Sequence, residues 1–193
     1  MTLLRAFIAI QVPQEIKTQI MSQTVELRRK VGRSVRWGSA ENIHVTLKFL
    51  GDVSPKQVDL LSQMLNNLAQ THPPFDVVAD GLGIFPNLRR PRVIWVGLHE
   101  AAQQLTKLQQ SVETGAAQLG HAPENKSFSP HLTIGRVREP LAAQELLVLQ
   151  DAFKGTRVQL NESFIIRSVD LMQSELKPSG PIYTCLSTAV FGG

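Results

Sequence analysis

Two short segments carry the side chains best suited to acid–base chemistry. They are His44-Val45-Thr46-Leu47 and, 87 positions later (131 − 44), His131-Leu132-Thr133-Ile134. Each alternates polar and apolar residues, the pattern of a half-buried strand. Residues i and i+2 of a strand share a face, so each His projects with its Thr while Val45, Leu47, Leu132 and Ile134 turn into the packing. Two such strands facing one cleft would bring together two imidazoles and two hydroxyls. Histidine titrates nearest neutrality, so one neutral ring can take a proton from water while one imidazolium gives a proton to a leaving oxygen. In-line phosphoryl transfer needs both acts together, and the threonine hydroxyls could donate to the nonbridging oxygens. A Ser/His/Asp triad fits poorly: Ser129 precedes His131, but the motif has no acid to orient the ring and no nucleophile elbow. Two histidines without a carboxylate cluster supply too few ligands for a metal, so neither metal nor cofactor is expected.

A single His-x-Thr would be more simply read as a strand histidine with a satisfied hydrogen bond. Two copies in matching contexts reverse that preference. The other histidines lack such support: His72 sits in a Thr-His-Pro-Pro turn, His99 ends a strand, and His121 lies in a Gly-His-Ala-Pro loop.

The elements around the motifs repeat as well. Arg5 precedes the apolar run Ala6 to Ile10 and lies 39 residues before His44 (44 − 5). Arg92 precedes Val93 to Leu98 and lies 39 before His131 (131 − 92). Between strand and motif, Ile16, Ile20, Thr24, Leu27 and Val31 share one helical face, as do Leu105, Leu108, Val112, Ala116 and Leu119. After each motif comes another helix. Ser54-Pro55-Lys56-Gln57 is a capping box with proline at the first helical position, followed by Val58, Leu61, Leu65 and Leu68. Pro140 opens the counterpart, with Leu146, Leu149 and Phe153 as its stripe. Strands are expected at Phe75 to Gly83, at Arg157 to Gln173 and at Ile182 to Phe191, and residues 81–91 as the crossing between halves.

Each half thus reads strand, helix, motif strand, helix, strand. The expectation is an α+β fold formed as one domain by duplication. Its two lobes, about 1–85 and 86–193, would be pseudo-twofold-related, each a mainly antiparallel sheet with outer helices flanking a central cleft.

The bulk properties agree with an ordinary globular chain. At 193 residues it can bury a sizeable core. The single cysteine, Cys185, excludes an intrachain disulfide and any Cys-based zinc cluster. No apolar run approaches a membrane span, and Phe7 to Ile10 reads as a first strand rather than a signal peptide, so a cytoplasmic protein without membrane partners is expected. Without a sustained heptad or apolar surface stripe, a monomer is expected. A net charge of +4 favours an anionic partner only weakly.

Several segments carry a family resemblance: Val35-Arg36-Trp37, Asn42 to Gly51 around the first motif, and Phe128 to Arg136 around the second. Arg5 to Ile10, Pro91 to Gly97, Leu171 to Leu176 and Gly180 to Tyr183 add to it. Together they resemble the 2H phosphoesterases (the LigT-like fold), and within them the RNA 2′,3′-cyclic phosphodiesterases, historically called 2′-5′ RNA ligases. The resemblance spans essentially the whole chain. It implies hydrolysis of a terminal 2′,3′-cyclic phosphate on RNA to a 2′-phosphomonoester without metal. It implies His44 as proton donor to the departing 3′ oxygen and His131 as proton acceptor from water, with Thr46 and Thr133 on the phosphate oxygens. It also implies Arg136 at the substrate phosphate.

Among the remaining candidates, Trp37 is the best placed to stack on a terminal base, ahead of Phe7, Phe49 and Trp95. Tyr183 is placed near the cleft. Lys48 shares strand parity with His44, so it should line the rim or be exposed. The basic runs Arg28 to Arg36 and Arg89 to Arg92 could follow an RNA backbone or simply be solvated. The alternatives left open are 2′-5′ joining of RNA ends, hydrolysis of a small cyclic nucleotide, and a noncatalytic RNA-end binding module.

Overall fold

The computed structural model describes residues 3–100, 103–178 and 180–192, apart from the side chains of residues 161 and 162. Nine strands form one antiparallel sheet: β1 (Leu4–Gln11), β2 (Val35–Trp37), β3 (His44–Val53), β4 (Phe75–Asn87), β5 (Arg90–His99), β6 (His131–Val137), β7 (Gln159–Ile166), β8 (Ser168–Lys177) and β9 (Gly180–Val190). Among the described residues five α-helices accompany them: α1 (Gln14–Gln23), α2 (Val25–Val31), α3 (Pro55–Ala69), α4 (Gln104–Gln118) and α5 (Ala143–Lys154).

The strand order is β7-β4-β5-β6-β3-β1-β8-β9, with β2 beside β6. It falls into two groups, β3-β1-β8-β9 and β6-β5-β4-β7, that mirror each other about the β3–β6 junction. That junction is a single residue pair, Val45 opposite Leu132. The sheet is therefore two lobes joined at one point beside the motifs, as an α+β pseudo-twofold fold requires.

The spatial lobes do not coincide with residues 1–85 and 86–193. β4, from the first half, pairs with β5 and β7, while β8, from the second, pairs with β1. The helices cross too: α1 packs against β7 and α2 against α5, whereas α4 packs against β3 and α3. Each half sends elements across, which interlocks the lobes.

Local chemistry explains most boundaries. Ser54 and Gln57 close the expected capping box on α3, with Pro55 in the first turn. Residues 16–31 form two helices rather than one, broken at Thr24, whose hydroxyl donates to the Ile20 carbonyl at 2.8 Å. Ile16, Ile20, Leu27 and Val31 still share the buried face. α5 starts at Ala143, three residues past Pro140, where Glu145 accepts the Ala142 N–H at 2.8 Å.

Residues 81–91, expected as a crossing, belong instead to the β4–β5 hairpin. Gly81, at φ 79°, sits at a bulge that lets β4 continue. Asn87 closes the turn by accepting the N–H groups of Arg89 and Arg90. The strand expected over 157–173 is divided at Arg167 into β7 and β8, which join opposite lobes.

Candidate active site

The Val45–Leu132 pair fixes the geometry of the cleft. Both side chains are fully buried, as Ile134 is and Leu47 nearly so, each worth about 1.5–3 kcal/mol of apolar burial. A one-residue slip of either strand would exchange these for the His and Thr side chains, so the register is strongly specified. In the antiparallel arrangement His44 then lies across from Thr133 and Thr46 across from His131. All four side chains are half-buried on the face opposite Val45 and Leu132. The two imidazoles occupy diagonal positions in that register. The charge of His131 is felt at His44.

The backbone two residues before each ring acts on it. His131 Nδ1 donates to the Ser129 carbonyl at 2.7 Å, which leaves Nε2 as an acceptor. At His44 the Asn42 backbone stands in the equivalent place and favours the protonated ring.

Aromatic rings wall both sides. His44 lies 5.0 Å from Phe7 and meets Tyr183 edge-on at 5.0 Å. His131 meets Phe85 edge-on at 5.0 Å and lies 6.0 Å from Trp95. Trp95 in turn lies against Gly83, where an added Cβ would fall 2.0 Å from the indole. Burial pushes His44 down to about 4; the Asn42 hydrogen bond opposes this, while the charges of Lys17 and His131 add to it. Burial also lowers His131, opposed by Ser129 and reinforced by Arg136. Both rings are therefore biased towards the neutral form until an anion enters.

Beyond each Thr the two strands carry the same irregularity. Opposite β1, the register passes from Thr46 to Lys48 and leaves Leu47 unpaired. Opposite β5, it passes from Thr133 to Gly135 and leaves Ile134 unpaired. The bulges are 87 residues apart (134 − 47), and each reverses the parity of the residues beyond it. Lys48 consequently leaves the cleft. It is buried on the helix side, donating to both Glu113 oxygens and to the Ala122 carbonyl, each at 2.9 Å. Neither alternative for Lys48, at the rim or exposed, holds, because simple alternation ignores the bulge.

Phe49 and Arg136 are the residues turned outward. Phe49 is 61% exposed, 6.3 Å from the Phe7 ring. Arg136 is exposed, and its charge is felt at both His131 and Tyr183. Tyr183, raised by burial and lowered in part by Arg136 and Arg5, lies against the Phe7 and His44 rings. Arg36 faces Arg136 directly in the β2–β6 register, and no carboxylate pairs with either among the described residues.

Trp37 does not join this group, contrary to its reading as the stacking residue. It shares a strand face with the buried Val35, and both pack on the spot where Gly135 has no side chain. The Arg28 guanidinium covers its ring at 4.7 Å. The exposed aromatic is Phe49, and the signal that could have found it is its 87-residue correspondence with Arg136 (136 − 49).

Elsewhere, Arg92 pairs with Glu139 at 3.3 Å and His72 meets Ser111 at 3.2 Å, away from the motifs. Among the described residues no group of three His, Cys, Asp or Glu side chains is placed to hold a metal ion, and no helix is long and apolar enough to cross a membrane.

Fold and paired motifs together define a two-histidine phosphoesterase. Residues 10–95 and 96–183 each match the LigT-like phosphoesterase family, so the chain belongs to that family and carries its unit twice. It is 32% identical over 180 residues to the RNA 2′,3′-cyclic phosphodiesterase of Methanothermobacter thermautotrophicus, covering 93% of this chain and 95% of that one. The same enzyme of Thermotoga maritima is 34% identical, with 98% and 97% covered. Among solved structures, a Thermus thermophilus protein matches with a TM-score of 0.81 at 27% identity, covering 98% of this chain and 99% of that one. Escherichia coli LigT bound to 3′-AMP matches with a TM-score of 0.79 at 27% identity over 100% of both chains.

Proposed function

We propose that the protein hydrolyses 2′,3′-cyclic phosphate ends of RNA to 2′-phosphomonoesters by metal-independent acid–base catalysis. The observation that carries this reading is the Val45–Leu132 junction, which sets two His-x-Thr pairs across one cleft with opposed orientation. A phosphorus between the imidazoles has one ring on each side of an in-line path. His131, its Nδ1–H held by Ser129, presents Nε2 to water and takes its proton. His44 gives a proton to the departing 3′ oxygen. The cyclic phosphate anion supplies the negative charge that both depressed imidazoles lack, so its arrival favours the protonated state His44 needs. Thr46, Thr133 and Arg136 hold the nonbridging oxygens as charge builds. Tyr183 closes the His44 side, and Phe49 offers an exposed face to the terminal base. Trp37 acts at one remove, seating Gly135 and hence Arg136.

Joining RNA ends by a 2′-5′ bond would use the same groups, with an RNA hydroxyl on the other side of the exchange. The Arg36–Arg136 pair favours that second reading, since it gives a second strand's phosphates a cationic seat beside His131.

The test is incubation of the protein with an RNA oligonucleotide ending in a 2′,3′-cyclic phosphate, in EDTA, with product isomers resolved. A 2′-phosphate is expected. A 3′-phosphate would reverse the substrate's orientation, and absence of product would sink the proposal.

A further inference from the structure

The two lobes close the strand edges beyond the Val45–Leu132 junction in different ways. On the His131 side β2 pairs with β6, setting Arg36 opposite Arg136. On the His44 side no strand among the described residues takes the corresponding edge of β3. The reason is in the sequence. The residue 87 positions after Arg36 (36 + 87 = 123) is Pro123, which has no N–H to give to a ladder. The next residue, Glu124, closes the edge instead, its carboxylate accepting the Phe49 N–H at 3.4 Å.

This carboxylate is held from behind. The Glu124 N–H donates to Glu113 at 3.4 Å, and Glu113 is paired with the buried Lys48 ammonium, which also donates to the Ala122 carbonyl. Both sides of Pro123 are thus anchored beside β3. Glu124 itself is exposed and makes no ion pair among the described residues.

The contact with Phe49 places Glu124 on the substrate side. Phe49 is 61% exposed, and its ring lies 6.3 Å from Phe7, which lies 5.0 Å from His44. The carboxylate therefore stands at the root of the aromatic side chain assigned to the terminal base. Across the cleft the exposed groups are the Arg36 and Arg136 guanidinium groups. Phosphate oxygens suit that rim, and hydrogen-bond donors suit this one.

An ionised carboxylate only accepts, so the bases rank by the donors they show it. A base stacked on an aromatic ring leaves its Watson–Crick edge free to be read. Guanine alone presents two adjacent donors on that edge, N1–H and the 2-amino group. Uracil presents N3–H between two carbonyls, while adenine and cytosine each present an amino group beside a ring acceptor. We propose that Glu124 reads this edge, so that the site prefers RNA ends whose terminal base is guanine. The inference rests on the cyclic-phosphate reading and goes beyond it by naming the base and the residue that selects it.

Two oligonucleotides of otherwise identical sequence test it, one ending in guanosine 2′,3′-cyclic phosphate and one in the inosine analogue, which lacks only the 2-amino group. The wild-type protein is expected to favour guanosine by about tenfold in kcat/KM, chiefly through KM, the effect of one charge-assisted hydrogen bond. Glu124→Gln keeps an acceptor for the Phe49 N–H without the charge and should remove most of that preference; Glu124→Ala should remove all of it. Equal handling of the two ends by an active wild-type protein would overturn the inference alone. So would a Glu124→Ala variant that slows both substrates and keeps the preference, because loosening the segment from β3 acts on both alike. Turnover of neither substrate by the wild-type protein would overturn the cyclic-phosphate reading, and this inference with it.

Discussion

The surroundings of His44 and His131 share a backbone and differ in what fills it. Both rings feel the backbone two residues back, both stand two residues before a Thr, and both strands bulge immediately after that Thr. The bulge then delivers Phe49 outward and Lys48 inward in one lobe, and Arg136 outward and Gly135 inward in the other. Around the rings, Phe7, Tyr183 and Lys17 accompany His44, whereas Phe85, Trp95 and Arg136 accompany His131. The duplicated frame supplies two equivalent imidazoles. Only the unequal neighbours can make one a donor and the other an acceptor, and give the substrate a direction.

Removing either ring breaks the comparison most severely. His44→Ala and His131→Ala should each lower kcat by about 10²–10⁴-fold while retaining phosphate binding, read by steady-state kinetics and titration calorimetry. If one variant kept full activity, two-sided acid–base catalysis would be wrong. The outward residues give the next effect. Arg136→Ala should lose about 10–100-fold in kcat/KM, as expected of a charge-assisted phosphate contact. Phe49→Ala should raise KM with little change in kcat; equal effects on kcat would contradict its assignment to the base.

The inward residues sharpen the same contrast through stability. At Gly135 a Cβ would meet Trp37 and Val35 at 2.8 Å. Gly135→Ala should cost about 1–3 kcal/mol in denaturant unfolding, and Trp37→Ala should relieve part of that in the double variant. In the other lobe, Glu113→Gln strands the buried Lys48 ammonium and should cost about 3–5 kcal/mol, more than Lys48→Met.

The smallest effect is in pH dependence. Burial holds His44 at about 4, below its unfolded 6.5. Between those values the unfolded chain binds the proton and the folded chain does not, so stability contributed by the neutral ring is lost as pH falls through that window. In catalysis the free protein needs one proton on a pair of depressed imidazoles, so kcat/KM should peak below neutrality. The bound anion raises both rings, so kcat should peak at higher pH. Coincident optima would mean that the anion does not reset the rings.

The paired motifs, their strand faces and the capped helix α3 were legible because each follows a local period or a local hydrogen bond. What escaped depended on register between distant strands. Alternation carried past Leu47 assigns Lys48 to the cleft and Phe49 to the core, and the bulge opposite β1 reverses both. Trp37 beside a polar loop invites stacking, yet β2 pairs with β6 and turns it towards α2. The exchange of β4, β8 and α4 between lobes leaves no mark in periodicity, because each element packs an apolar face wherever it lands.

The most direct test of the donor and acceptor roles replaces the substrate's leaving 3′ oxygen with sulfur, which departs without needing a proton. Turnover of that substrate should be restored in His44→Ala towards the wild-type rate, and should stay low in His131→Ala. Restoration in His131→Ala alone would exchange the two roles, and restoration in neither would contradict proton donation by His44 to the leaving oxygen.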